Sequence, residues 1–265
     1  MDFTGVCFTA QKKYMKRVDK ISKLLKPIII LYKPQLGENI GFVARAMRNC
    51  GVDDLRLIDP RDGWPNPLSY KVAKSGTHVL EKIKVFNKFI EAVKDVDYLV
   101  ACSARKRNLS KETINPRDAI NKLYNSNNAK KLQNIGFIFG PENSGLENNE
   151  ISYANIILNA DLNKNSDSLN LAQAVLIICW EWWMKSKTNN TFKDKNFKKV
   201  ENLTTVSERT FFFDRIEDIL QKKGFYRSEN KSKIIKQNLR SFFTKANPTK
   251  QELKTLHGIF TLFEK

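Results

Sequence analysis

Apolar and polar positions along the chain group into short runs that predict strands and helices in alternation. Runs rich in apolar residues predict buried strands at 28–31, 55–58, 83–86, 98–102, 135–139 and 157–158. Between these runs, apolar residues at helical spacing predict helices at 40–49, near 70–80, at 88–93 and at 116–124. This order of elements indicates an α/β fold with a mostly parallel sheet.

The pattern changes towards both ends of the chain. Residues 12–26 place apolar side chains at helical spacing among lysines, which predicts a short basic amphipathic helix that Pro27 ends. Residues 185–205 are rich in Lys, Asn, Thr and Asp, which is typical of a flexible linker, and helical patterns follow them. We therefore predict a basic N-terminal segment at 1–26, a main domain at 27–184, the linker at 185–205 and a small helical extension at 206–265.

Composition excludes several classes of protein. The longest apolar run, 171–180, is far shorter than the roughly 18 residues that span a bilayer, so we expect no membrane segment. The first residues lack the pattern of a signal peptide, which makes the cytoplasm the expected location. Four scattered cysteines and two histidines, without a C-x-x-C pair, argue against a metal site and a disulfide framework.

The net charge of +18 is concentrated at the two ends of the chain. Residues 1–26 and 185–265 together carry +15, whereas residues 27–184 are nearly balanced. A strongly positive surface on terminal segments favours a nucleic-acid partner, since each phosphate contact releases counterions. An anionic membrane or simple solubility remain alternatives, because the excess of Lys (34) over Arg (12) also fits A+T-rich coding.

Common catalytic motifs are missing from the sequence. There is no G-x-x-x-x-G-K-[ST] loop for nucleotide phosphates, and no G-x-G-x-x-G follows the first predicted strand. Neither His78 nor His257 lies in a context that suits a Ser-His-Asp hydrolase.

Three polar clusters are the candidates for chemistry. They are 37–45 (GENIGFVAR), 139–146 (FGPENSGL) and 167–175 (DSLNLAQAV). The first two follow predicted strands, and ligands of α/β sheets bind beyond the carboxyl ends of strands. Each cluster also has an ordinary structural explanation: Asn39 as a helix N-cap, Gly140–Pro141 as a turn, and Ser168 as the cap of the next helix.

In this order and spacing the three clusters resemble the three motifs of the SPOUT superfamily of RNA ribose methyltransferases, most closely its TrmH/TrmJ branch. The extension, with Asn247–Pro248–Thr249 and the helical pattern around it, resembles the C-terminal helical region of the bacterial members. The resemblance covers about residues 27–265. It departs from the family at 159–167, which is about three residues longer and lacks a proline, and at Glu147, where Ser or Thr commonly caps a helix.

The resemblance implies a trefoil knot in the C-terminal part of the α/β domain, an obligate homodimer, and S-adenosylmethionine as cofactor, with S-adenosylhomocysteine as product. By the same resemblance, no metal and no membrane take part. The residues that it assigns to cofactor binding are Cys102, Gly140, Ile157, Leu158, Leu169 and Ala172.

The resemblance also implies which side chains carry the chemistry. Arg45 is the central residue, and the others are Asn39, Glu142, Ser168 and Asn170. Because a guanidinium keeps its proton in proteins, we expect Arg45 to hold a phosphate or the forming alkoxide, with water or phosphate taking the proton. The expected RNA-binding residues are Arg105, Arg107, Lys222, Lys223, Arg227, Lys236 and Arg240.

The expected activity is thus methylation of a ribose 2′-hydroxyl of tRNA, in the anticodon loop at position 32, on cytidine or uridine. One alternative is a ribosomal RNA ribose methyltransferase of the same superfamily. The other is an RNA-binding member without activity, against which the intact Asn39, Arg45 and Glu142 argue.

Overall fold

A computed structural model describes residues 26–105, 111–125, 132, 134–163, 165, 166, 168–188, 203–226, 228–262 and 264. The predicted N-terminal helix at 12–26 therefore lies almost wholly outside the described residues. The same holds for residues 189–202 of the predicted linker, and for Arg107 and Arg227.

Seven strands form a single sheet in the order β3-β2-β1-β6-β4-β7-β5, and every neighbouring pair of strands is parallel. This confirms the predicted parallel sheet. Six strands fall where the apolar runs predict them, whereas Thr113–Ile114 forms a two-residue strand too short to leave a pattern. The strands are β1 (Ile28–Tyr32), β2 (Asp54–Ile58), β3 (Lys84–Phe86), β4 (Tyr98–Cys102), β5 (Thr113–Ile114), β6 (Ile135–Phe139) and β7 (Ile156–Leu158).

Helices connect the strands across both faces of the sheet. The helix predicted near 70–80 is in fact two short helices, separated by a 3₁₀ turn at Lys74–Gly76. The helices are α1 (Gly37–Asn49), α2 (Pro67–Ala73), α3 (Thr77–Leu80), α4 (Phe89–Val93), α5 (Pro116–Asn125), α6 (Asn148–Ser152) and α7 (Leu171–Thr188). Because α7 continues to Thr188, the domain extends four residues into the predicted linker.

Two apolar cores cover the two faces of the sheet. On the front face, α1 and α7 pack against the strands through residues such as Met47, Val175 and Phe137. On the back face, the strands contact α4, α6 and the C-terminal extension, with Leu99, Ile138 and Val93 among the buried residues. The alternation of side chains along each strand explains why both faces are apolar, as in sheets with helices on both sides.

The predicted helical extension is present and belongs to the back core. It consists of α8 (Val206–Lys222), α9 (Glu229–Ala246) and α10 (Lys250–Thr261). Phe212, Phe213 and Ile216 of α8 lie in the same apolar cluster as the strands. The Arg209 side chain, 1% exposed, donates to the carbonyls of Thr204 at 2.6 Å and of Asp97 at 3.3 Å. Among the described helices, none is long and apolar enough to cross a membrane.

Candidate active site

Three polar segments meet at the carboxyl edge of the sheet, where the central strands end. The loop after β1 leads into α1, which carries Asn39. The loop after β6 carries Glu142, and Asn170 immediately precedes α7. Loops that follow parallel strands converge at one edge, which is where α/β folds bind their ligands.

Hydrogen bonds join the three segments into one polar wall. The Glu142 carboxylate accepts the Gln35 backbone N–H at 2.7 Å and the Asn39 side-chain amide at 2.9 Å. The Asn39 oxygen accepts from the Asn170 amide at 3.3 Å, and the Asn170 oxygen accepts the Ala172 backbone N–H at 2.9 Å. This network fixes both amides, because a flip of either one would set two donors or two acceptors against each other.

Asn39 belongs to this wall and is not a helix cap. Leu36 occupies the cap position of α1, and Asn39 is the third residue of the helix, 7% exposed. A buried amide needs hydrogen-bond partners, and Asn39 finds them in the other two segments. Similarly Asn170, rather than Ser168, caps α7 through the Ala172 N–H. The ordinary structural explanations of Asn39 and Ser168 are therefore wrong.

A cleft of about 600 Å³ opens beside the wall. This volume lies within the range of pockets that bind small molecules. Polar groups lie at its rim, including Ser103, Asn143, Asn159 and Ser168. Its apolar lining suits a flat ring system and includes Leu36, Phe139, Leu158, Leu162, Leu169, Leu171, Ile177 and Ile178.

The floor of the cleft depends on glycine. A Cβ placed on Gly140 would overlap the backbone of Gly145 and Leu146, because the loop folds back on itself there. Gly145 has φ +65°, a conformation that side chains other than glycine rarely adopt. The tight turn leaves backbone groups of this loop facing the cleft, where they could hold a ligand.

Four of the six predicted cofactor-binding residues line the cleft: Cys102, Gly140, Leu158 and Leu169. The Ile157 side chain lies in the back core, because successive strand residues point to opposite faces. The Ala172 side chain packs against the front core, one residue inside α7. The structure does not bring these two side chains to the cleft.

Cys102 contributes an uncharged surface to the cleft. Burial raises the pKa of the Cys102 thiol well above its ordinary value, and the nearby Cys179 adds to this effect. The thiol is therefore protonated near neutral pH and acts as an apolar part of the lining. It is not placed to act as a nucleophile, since the thiolate is the reactive form.

Arg45 lies outside the residues that line the cleft. It is exposed on α1, on the same side of the helix as Phe42, which is 43% exposed. The turn at Gly76 presses on its backbone, since a Cβ on Gly76 would lie 2.6 Å from the Arg45 nitrogen. Its guanidinium has neither a hydrogen bond nor an ion pair among the described residues, so it is available to an anionic ligand.

The predicted RNA-binding cations have different surroundings. Arg105 lies at the rim of the cleft, and its guanidinium donates to the Asn143 carbonyl at 3.4 Å. Lys222 forms an ion pair with Asp218 at 2.6 Å, within α8. Lys223 is exposed and has no acidic partner in the described part of the chain.

Lys236 and Arg240 of α9 share one acidic partner. Both pair with Glu217 of α8, at 3.4 Å and 2.7 Å, so their charge is partly offset. The Arg240 guanidinium also lies 5.0 Å from the ring centre of Tyr153, next to α6. These two side chains join α9 to α8 and to the domain, and because one carboxylate offsets only one of the two positive charges, their predicted contact with RNA stays a prediction.

Sequence reasoning missed several residues of the site. Leu36 and Ser103 line the cleft although no motif marks them. The Gln35 N–H acts through the backbone, so its side chain gives no signal. These residues share a position shortly after the end of a strand, and the apolar pattern of the sequence already predicts where those strands end.

Comparisons with known proteins agree with this arrangement. The model of the SpoU rRNA Methylase family matches residues 26–180. A Haemophilus influenzae protein named an uncharacterized tRNA/rRNA methyltransferase is 31% identical over 237 residues, covering 89% of this chain and 94% of the relative. The tRNA (cytidine-2′-O-)-methyltransferase TrmJ of Methanocaldococcus jannaschii is 30% identical over 201 residues, covering 74% and 84%.

A solved structure extends the similarity to the C-terminal helices. The crystal structure of TrmJ from Z. mobilis ZM4 superposes with a TM-score of 0.79 and 36% sequence identity. The superposition covers 90% of this chain and 99% of the other. Domain and extension therefore share one architecture with that protein.

Proposed function

This chain belongs to the SpoU rRNA Methylase family, and on that premise we propose that it transfers a methyl group from S-adenosylmethionine to a ribose 2′-hydroxyl of tRNA. The observation that carries the proposal is the hydrogen-bonded wall of Asn39, Glu142 and Asn170 beside the cleft. Support for tRNA comes from the relatives named TrmJ and from the shared helical extension.

The cleft fits the cofactor that this reaction needs. Leu158, Leu169 and Ile178 offer an apolar slot for an adenine ring, and the backbone of the Gly140 loop offers hydrogen-bonding groups. Bound there, S-adenosylmethionine would supply an electrophilic methyl group, with S-adenosylhomocysteine as product. The neutral thiol of Cys102 keeps this part of the site free of a competing nucleophile.

The residues of the wall align the attacking hydroxyl. Methyl transfer requires the oxygen in line with the methyl group, and alignment supplies much of the rate. Glu142 accepts one hydrogen bond on each oxygen and keeps lone pairs for the ribose hydroxyl. Asn39 holds the carboxylate in place, and Ser168 and Asn170 lie where the hydroxyl would meet the cleft. The proton leaves to water or to a substrate phosphate.

Arg45 has the role of holding RNA in this proposal. A guanidinium binds phosphate through paired hydrogen bonds and does not act as a base. The phosphate next to the target ribose is its expected ligand, because Arg45 lies on the same helix as Asn39 and has no internal partner among the described residues.

We also infer a homodimer and a knotted C-terminal region. On α7, Leu176, Trp180 and Met184 repeat every four residues and are 39–48% exposed, and α1, which packs against α7, carries the exposed Phe42. A second copy is the occupant that this apolar stripe fits, and it would bring Arg45 to the subunit interface. The long return of the chain from β7 to the start of α7, beside Asn39, is consistent with a trefoil knot.

The proposed dimer interface can be tested with one substitution. Trp180→Glu should convert the dimer to a monomer in sedimentation, because a charge on this stripe opposes its burial. Lys94→Glu, at an exposed position directly after α4 on the other face of the sheet, serves as the control. A monomeric wild type, or a dimeric Trp180→Glu variant, contradicts the interface.

The proposed substrate is position 32 of the anticodon loop, on cytidine or uridine, in cytoplasmic tRNA. The decisive experiment measures transfer of labelled methyl groups to tRNA and ribosomal RNA from a strain without the modification. Wild type, Arg45→Ala and the matched Arg48→Ala are compared. We expect label in tRNA that protects one linkage from alkali, and its loss in Arg45→Ala alone.

Other outcomes would overturn parts of this proposal. Label in ribosomal RNA alone would establish the ribosomal enzyme of the same superfamily instead. Absence of label, from a protein that binds RNA but not S-adenosylhomocysteine, would indicate an inactive RNA-binding member.

A further inference from the structure

The segment after β2 is held tightly on α1, beside the proposed site. A Cβ on Gly37 would lie 2.5 Å from the Asn66 side chain, and a Cβ on Gly41 would overlap the Ser69 carbonyl. The Ser69 hydroxyl donates to the Gly37 carbonyl at 2.6 Å. Residues 61–76 therefore form a fixed surface next to the residues that begin α1.

Two aromatic rings lie on this surface. Trp64 and Tyr70 stack with ring centres 6.0 Å apart and an interplanar angle of 23°. Trp64 also packs on the front core, whereas Tyr70 is 38% exposed. A ring fixed from behind and open in front is a platform on which a nucleobase can stack.

The charges near the rings are of two kinds. Arg61 and Asp62 neutralise each other through hydrogen bonds of 2.8 Å and 3.2 Å. Lys71 and Lys74, by contrast, are exposed and have no acidic partner among the described residues. Aromatic rings next to unpaired cations are the combination by which proteins bind single-stranded nucleic acid.

Lys74 is held in an unusual backbone conformation. Its φ is +50° and its ψ is −115°, a region that favours glycine. The turn that it begins presses Gly76 onto the backbone of Arg45. Lys74 is thus fixed close to the arginine that we expect to hold a phosphate.

We propose that residues 64–74 bind the unpaired nucleotides next to the target ribose, with Tyr70 stacking on a base and Lys71 and Lys74 holding phosphates. This inference rests on the proposed function, and it adds a substrate surface in the catalytic domain to that of the extension. It implies that the substrate is single-stranded at the site, since a paired base cannot stack on Tyr70.

The test uses the full chain and an unmodified anticodon-arm hairpin with 2-aminopurine in its loop. Tyr70→Ala should weaken binding about five- to a hundredfold and abolish quenching of the fluorescent base. Tyr70→Phe, which keeps the ring, should bind like wild type. Lys71→Gln/Lys74→Gln should reduce the slope of log affinity against log salt by about 1.4, from two single-strand phosphate contacts.

A matched charge control separates this surface from general electrostatics. Lys82 and Lys94 are exposed before β3 and β4, at the opposite edge of the sheet. Lys82→Gln/Lys94→Gln should leave the salt slope unchanged. The inference is overturned if Tyr70→Ala binds and quenches like wild type, or if the two double variants have equal slopes.

Methyl transfer to tRNA, measured on the same proteins, keeps the two proposals distinct. If wild type methylates tRNA and Tyr70→Ala binds normally, only the inference fails. If wild type binds the hairpin through Tyr70 but methylates no RNA, the proposed function fails and residues 64–74 remain an RNA-binding surface without a target ribose beside it.

Discussion

Glu142 connects two segments of the chain that are more than a hundred residues apart. Each of its oxygens accepts one hydrogen bond, from the Gln35 N–H and from the Asn39 amide. Both donors need an acceptor, and only a carboxylate offers one to each of them. The negative charge of Glu142 therefore determines the shape of the wall as well as its polarity.

Glu142→Gln tests this role at nearly constant volume. The new amide group must face one of the two donors, so one hydrogen bond is lost and the wall shifts. A broken hydrogen bond of this kind costs about 1–3 kcal/mol, which corresponds to a kcat about 5- to 150-fold lower. The measurement is methyl transfer at saturating cofactor and tRNA, with Glu91→Gln on the exposed side of α4 as control. Equal rates would show that the carboxylate is dispensable.

At the level of single residues, motifs predicted the polar part of the site well. Asn39, Glu142 and Asn170 are joined by hydrogen bonds, as expected if the three motifs form one site. The apolar pattern of the sequence already predicts the strands that the first two motifs follow. No sequence motif marks Tyr70 or Lys74 as site residues. Their positions depend on close backbone contacts that glycines make with segments distant in sequence. The side chain of Ile157 faces away from the cleft, because neighbouring residues of a strand point to opposite faces of the sheet.

At the scale of helices and strands, α2 packs unusually close to the backbone of α1. Gly41 lets the Ser69 carbonyl and the Val72 side chain contact the helix backbone. The apolar spacing in the sequence predicts which face of α1 is buried, but it does not predict this close backbone contact. The same pattern predicts one helix near 70–80, whereas the structure has two helices separated by a 3₁₀ turn that begins at Lys74.

Two glycine-to-alanine substitutions should have opposite effects on the free energy of unfolding. Gly41→Ala introduces a methyl group where none fits, and we expect destabilisation of about 1–3 kcal/mol. Gly258 lies inside α10 with open space around its Cα, so Gly258→Ala should stabilise the protein by about 0.5–1 kcal/mol. Denaturant unfolding measures both. A Gly41→Ala variant as stable as wild type would contradict the close packing of α1.

In the whole molecule, the domain and its extension share one core. Lys111 lies near their junction and donates to the carbonyls of Ser152 and Ala154, at 3.1 Å and 2.6 Å. Burial lowers the pKa of Lys111 to about 7, and the positive charges of Arg209 and Lys245 in the extension add to the effect. The concentration of positive charge at the C-terminal end of the sequence indicates an extension. It does not indicate this buried contact, because a lysine in a sequence is predicted to be exposed.

The lowered pKa of Lys111 predicts how stability depends on pH. Between about pH 7 and pH 10 the unfolded chain carries a proton on Lys111 that the native chain does not. The free energy of unfolding should therefore rise with pH at this site, by up to about 1.4 kcal/mol per unit. Lys111→Met lacks the titration. We expect the free energy of unfolding of wild type to rise by about 2 kcal/mol relative to that of Lys111→Met from pH 7 to pH 9. Parallel pH profiles of the two proteins would contradict this.

The position of β1 inside the sheet, between β2 and β6, has a consequence for synthesis of the chain. Ile28–Leu31 pair on one side with β2, which follows within thirty residues, but on the other side with Gly136–Phe139. At about 5–20 residues per second, the ribosome needs about 5–20 s to make the chain between them. For that time the most apolar strand of the protein has an open edge, which is a site for aggregation or for a chaperone to bind. The nascent chain, more than the finished enzyme, is thus the form that depends on cellular assistance.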